Sequence, residues 1–432
     1  MRMDGTRGEK VMADEKRFEN KIKRWLDVYK RQVKTRSTWM LLAAALILSA
    51  VLAYFPISFV TSYKTDARGN MVKLTGIEAI QNKKEQEQAI AGLITEEKVA
   101  KAVKDFRECY QEYGSAFPPE VPMEVYNEKI APQYPVLEQA ARVLADSQVY
   151  VDTMTDADIS PEDVAGFYEK YRERLKQMGK DEKEQEEIER LSADIETPFT
   201  YVPGFSAESY DYLVLYLFLL MFIFAVIAAP VFCAEYQTGA DSILRCARHG
   251  RMRLAATKIG AMLIIFLATF GAGTAVFLLI TNQAFGWEGL QTSLQMLRSA
   301  FVMPQMTLGE AWTTVVLAGL CSLLATVCAA LYLSSRCRNV QAAIIGSIVL
   351  CMLPTIIYMV SSSNVADILR CIFPSGGIGL TNSFFYEVMG LHFIRLGTGY
   401  IWTPYLIMGA AILEIPLFLV LTAVTYCRRE SI

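Results

Sequence analysis

Six apolar runs, each long enough to cross a hydrocarbon layer about 30 Å thick, constrain this chain more than any other feature. They occupy about residues 38–60, 210–234, 254–280, 312–333, 340–360 and 405–426. In lipid, backbone polar groups must be paired within the segment, so single runs of this length read as helices. Lys and Arg crowd residues 1–36, the loop 233–258, the short loop 334–338 and the pair Arg428-Arg429. The stretches 61–208 and 281–311 carry most of the acid, or little base. The positive-inside bias then puts both termini and the basic loops in the cytoplasm, with residues 61–208 and 361–403 outside. The expected fold is an all-α multi-pass protein of the cell membrane: six transmembrane helices and a helical extracytoplasmic domain between spans one and two.

Composition narrows the class further. A 53% hydrophobic content alongside 20% charged residues fits a membrane protein with a water-soluble portion, and a net charge of −3 gives no reason to expect a nucleic-acid partner. Of the nine cysteines only Cys109 lies in the long polar stretch, which excludes a disulfide framework there. The two histidines, His249 and His392, are too few for a histidine-based metal centre. No cleavable signal peptide is expected, because the first apolar run is long and follows a basic arm.

Within residues 1–36, Phe18, Ile22, Trp25, Leu26 and Tyr29 recur at helical spacing among lysines and arginines. That pattern fits a helix lying at the membrane surface, or equally a solvated basic tail. The run Asp27-Val28-Tyr29-Lys30-Arg31-Gln32 matches one reading frame of the transposon-end adapter of sequencing libraries. Residues 1–32 are therefore a candidate library artefact.

Residues 61–208 are long enough for a domain and read as helical. Thr75-Gly76-Ile77-Glu78 has the form of a capping box, and Thr95 precedes a face of Val99, Val103, Phe106, Tyr110 and Tyr113. A proline-rich break runs from Pro118 to Pro135. Ser160-Pro161-Glu162-Asp163 then starts a helix with Val164, Phe167, Tyr168, Tyr171, Leu175 and Met178 on one side. The charged run 179–189 is expected to be a solvated helix or turn. Such aromatic stripes read as packing faces rather than ligand platforms. Later in the chain, Gly260, Gly271 and Gly273 would let span three approach a neighbour closely, and Pro354 would kink span five. Residues 361–403 are expected to form short helices at the membrane surface.

The loop 233–258 carries Glu235 where span two closes, then Gly239, then a stretch in which Ile243, Leu244 and Ala247 would share one helical face beside Arg245. Gly250-Arg251 and Lys258 open span three. This order of acid, glycine, short helix, Gly-Arg pair and lysine resembles the permease subunits of ATP-binding-cassette exporters, the type-2 permease family. The resemblance extends to the six-span layout. It implies a permease moving a substrate across the cytoplasmic membrane with ATP hydrolysed by a separate ATPase subunit. That subunit would dock on Glu235, Gly239, Ile243, Leu244, Arg245, Gly250, Arg251 and Lys258, and a second permease, identical or not, would complete the pathway. Read without the resemblance, the same stretch is an ordinary basic loop that sets topology.

Other chemistry is sparse. There is no G-x-x-x-x-G-K-[ST] phosphate loop, no HExxH, no GxSxG and no buried Asp pair, so neither an enzyme nor a resident cofactor or metal is expected. Glu414 is the one acid deep within a span, followed by Pro416. Ionisable groups there cost roughly 2.5–3.5 kcal/mol and usually face an interior. Translocation or gating is one reading of Glu414; a structural partner for a neighbouring hydroxyl is the other. A membrane-anchored sensor or scaffold, with the polar segment as its binding module, is the alternative to the exporter.

Overall fold

The computed structural model describes residues 36–65, 70–145, 150–239 and 250–428. The amphipathic stretch of residues 1–35 and the expected docking helix, including Ile243, Leu244 and Arg245, lie outside them. Six helices are long and apolar enough to span a membrane. They are α1 (Arg36–Phe59), α7 (Ala207–Ala228) continued by α8 (Pro230–Thr238), α9 (Gly250–Phe285), α10 (Leu308–Arg336), α11 (Val340–Val360) and α14 (Thr403–Arg428). All six expected runs are found, most extended by a few residues, and polar caps start two of the longer ones. Ser206 accepts from the amide of Ser209, and Thr307 forms a capping box with Glu310.

The helices pack by fitting small residues against large ones. α1 lies along α9, where the Ser49 hydroxyl donates to the Gly273 carbonyl at 2.5 Å. A Cβ at Gly273 would collide with the Tyr216 hydroxyl, so this glycine is required by close approach. Gly271 has open space around it and plays no such part. α10 is the most enclosed span, flanked by α7, α11 and α14, while α11 and α14 turn broad apolar faces outward. Pro354 and Pro416 lie inside continuous helices; Pro416 makes no break. Pro230 does divide a helix: it lacks the N–H that α7 would need to continue.

The polar segments gather at one end of the bundle. Residues 61–206 form α2 (Ile77–Glu87), α3 (Glu96–Tyr113), α4 (Tyr134–Leu144), α5 (Phe167–Gln177) and α6 (Glu182–Ser192), with two small antiparallel ribbons. One pairs β1 (Thr61–Thr65) with β2 (Met71–Thr75); the other pairs β3 (Gly92–Leu93) with β4 (Thr200–Tyr201). The segment is thus helical with strands that periodicity did not reveal. Thr75 is not a helix cap: it pairs with Thr61 in the ribbon, and Gly76 at φ +62° turns the chain into α2. Thr95 does cap α3, which buries Val99, Val103 and Phe106 against α4. Each such side chain contributes roughly 1.5–3 kcal/mol. Ser160 caps only a single 3-10 turn, Pro161–Val164; Gly166 at φ +69° breaks the chain and α5 begins afresh at Phe167. Met178, expected on the packed side, is exposed.

This segment is fused to the bundle through the loop 286–307. Tyr171 stacks on Phe301, the Ser293 amide donates to the Thr200 carbonyl, and Tyr210 donates to Leu308 at the head of α10. Residues 361–402 hold α12 (Asn364–Ile372), α13 (Phe384–Met389) and a hairpin of β5 (Phe393–Leu396) and β6 (Gly399–Trp402). Tyr400 on that hairpin donates to Asp181 at 2.6 Å, so all three polar segments touch at the same end.

Candidate functional site

The opposite end is built around the α7–α8 break. With Pro230 unable to donate, the backbone there is served by a side chain from another span. The Ser334 hydroxyl donates to the Ala229 carbonyl at 2.6 Å and accepts from the Phe232 amide at 3.0 Å. Ala229 and Cys233 then pack on Ala343 of α11. The break turns α8 so that Glu235 faces Lys258 of α9.

Lys258 is the centre of this end. Its ammonium lies 2.5 Å from the Glu235 carboxylate and donates to the Val231 carbonyl at 3.0 Å. It also sits over the rings of Phe232 and Tyr426, 5.1 and 5.8 Å from their centroids. Only 4% of Lys258 is exposed. Burial of a cation is tolerated because one carboxylate, one carbonyl and two aromatic faces replace its water. Tyr426 belongs to α14, and Arg251 on α9 donates to the Cys427 carbonyl at 3.3 Å. Three span ends (α8, α9 and α14) are therefore held together by groups bracketing the loop 240–249.

Of the residues singled out in the sequence, Glu235 and Lys258 pair directly, and Arg251 reaches the end of α14 instead. Gly239 ends α8 at φ +70°, a left-handed turn that suits glycine. Gly250 is the first residue of α9. Ser334, Phe232 and Tyr426 escaped notice: Ser334 reads as part of a short loop after span four, and aromatic residues near span ends are commonplace.

Glu414 stands apart, in the bilayer region of α14. Ile407, Ala411, Phe418, Thr422 and Tyr426 share its helical stripe, and Phe418 meets Tyr332 of α10. That stripe is the seam between α14 and α10. Glu414 is half-buried, and one carboxylate oxygen is enclosed without a hydrogen-bond partner among the described residues. The hydroxyl partner expected by the structural reading is not found. Pro416, two residues on, points outward to an exposed face.

The polar end holds two charge clusters that sequence spacing could not show. Arg298 forms a bidentate pair with Asp211, which also accepts from Tyr386. Arg370, nearly fully buried, bonds Asp367 and Glu387 at 2.8 Å each, and Glu387 also holds His392 at 3.0 Å. The hydrogen bond to Glu387 raises the His392 pKa above its usual value. The first cluster joins residues far apart in the chain, and the second ties together residues 367–392 within one polar segment. Among the described residues no group of His, Cys, Asp and Glu could hold a metal ion. Compared with protein-family models, curated proteins and solved structures, the chain matches none.

Proposed function

We propose that this chain is the membrane-spanning permease subunit of an ATP-binding-cassette exporter. A separate ATPase docks on the loop 233–258, and a second permease subunit pairs with this one in the bilayer. The observation that carries this reading is the Lys258 cluster. It ties both flanks of the basic loop to the end of α14, so a push on the loop reaches three spans at once. On this reading the Lys258 end is cytoplasmic, both termini are inside, and residues 61–208 are extracytoplasmic. The outward apolar faces of α11 and α14 are where the second permease packs, and Glu414 in the α10–α14 seam gates or lines the path.

A neighbouring open reading frame that encodes an ATP-binding-cassette ATPase would favour the proposal, and co-purification with such an ATPase tests it. Arg251→Glu is expected to abolish both association and stimulated ATP hydrolysis, while Glu414→Gln lowers transport and leaves association intact. Undiminished association and hydrolysis in Arg251→Glu would remove the coupling role.

A sensor or scaffold is the second reading. It draws on the open cleft between α5 and α6, about 410 Å³, whose floor includes Tyr171 and whose rim includes Arg172 and Lys176. A neighbouring kinase in place of an ATPase, together with a ligand in that cleft, would favour it.

A further inference from the structure

A second candidate site lies where three spans emerge at the polar end. Val60, just beyond α1, Ala207 at the start of α7 and Phe285 at the end of α9 surround a cavity of about 140 Å³. Its apolar wall is completed by Ile80 and Phe205. Four charged side chains line it: Lys83, Lys84 and Glu87 of α2, and Glu208 of α7. Glu87 accepts from Tyr201 at 2.7 Å, and Glu208 accepts from Ser206 at 3.0 Å, so both carboxylates are held in place.

Lys84 is positioned by backbone. Its stem runs between Gly204 and Gly286, both at positive φ (+102° and +109°), where added Cβ atoms would meet its Cε at 2.8 Å and its Nζ at 2.6 Å. Positive φ favours glycine at both places, and at Gly204 an added Cβ would also collide with the Phe285 carbonyl. Glu288 lies 3.8 Å from its ammonium, at the rim.

The depth of the cavity is set by its walls. Span ends mark the bilayer boundary, and aromatic side chains gather there: Phe59 and Trp287 are exposed, and Tyr212 stacks on Phe55. Aromatic belts sit at the headgroup level. A cavity at that level, apolar on one wall and lined by two lysines and two carboxylates with a third, Glu288, at its rim, has the chemistry to receive a lipid headgroup that carries both charges. A net anion would gain from the lysines what it loses to Glu87 and Glu208. A phosphate with an attached amine meets both.

We propose that this cavity binds a zwitterionic phospholipid, its phosphate on Lys83 and Lys84 and its amine on Glu87 and Glu208, with the acyl chains lying against α1 and α9. Bound lipid would join α2 to three span ends and fasten the polar segment to the membrane.

The full-length chain, purified in detergent, can be titrated with phosphatidylethanolamine, phosphatidylglycerol and inorganic phosphate and read by native mass spectrometry. One phosphatidylethanolamine per chain is expected, held about ten-fold more tightly than phosphatidylglycerol. Lys83→Ala and Glu208→Ala, both at exposed positions, should each weaken it by about ten-fold, the effect of one charge-assisted contact, without moving the thermal midpoint. Lys84→Met should weaken it as well, and its midpoint reports any local unfolding separately. Equal binding by the wild type and both exposed-site variants would overturn the proposal. So would equal affinity for phosphatidylglycerol, or displacement of the lipid by inorganic phosphate at equal concentration, which would mark a free-anion site.

Discussion

Glu235→Gln is the sharpest test of how the Lys258 end is held. The substitution keeps shape and an acceptor oxygen but removes the negative charge beside a cation that is only 4% exposed. Breaking a fully buried ion pair by removing one charge costs about 3–5 kcal/mol, and the amide oxygen that remains lowers that figure by keeping a neutral hydrogen bond. The Glu235 side chain is 25% exposed, so water already reaches the pair and lowers the cost. The expected loss is about 2 kcal/mol. Lys258→Met removes the ion and fills its stem with an apolar chain, while the Glu235 carboxylate can rehydrate; about 1 kcal/mol is expected. In the double variant no unpaired charge remains, so its stability should match Lys258→Met rather than the sum. Unfolding of all four proteins in one detergent closes the cycle. If the single effects add to within about 0.5 kcal/mol, or if Glu235→Gln and the double variant fall equally, Lys258 does not depend on its carboxylate and the account of this end is wrong.

Gly273→Ala should cost about 1–3 kcal/mol, because the new methyl meets the Tyr216 hydroxyl in a packed seam. In a Tyr216→Phe background most of that loss should vanish, and equal losses in both backgrounds would place the strain elsewhere. The His392–Glu387 bond makes the hairpin β5–β6 sensitive to pH. Because the folded pKa is raised above about 6.5, the contribution is complete below that value and fades as pH rises through the raised one. Amide exchange of the hairpin should therefore quicken relative to the rest of the chain on going from about pH 6 to about pH 9. His392→Gln should flatten the difference, and an unchanged profile would show that the bond contributes nothing.

The spans were legible because membrane crossing is a local demand. Each run must pair its own backbone and meet lipid, so length and hydropathy declare it without reference to other residues. Gly273 could be named as a close-approach residue on the same ground, though nothing local separated it from Gly271. Thr95 was readable as a cap for a similar reason, since its hydroxyl serves an amide only three residues away. Thr75 shows where local reading stops. The same motif that fits a capping box also fits a strand end, and only the pairing with Thr61 decides between them.

The site divides along the same line. Glu235 and Lys258 stood out individually as charges flanking a basic loop, yet their pairing depends on the break at Pro230 and on Ser334 arriving from α10. Likewise Lys83 and Lys84 of α2 and Gly204 do not stand out in sequence and line one cavity only because α1 and α9 end where α7 begins. By itself, then, the sequence determined how often the chain crosses and which loops are basic, because those follow from the cost of bare backbone and bare charge in lipid. The tertiary structure alone decided which charges neutralise one another, because a buried ion is tolerated only where partners from distant segments replace its water.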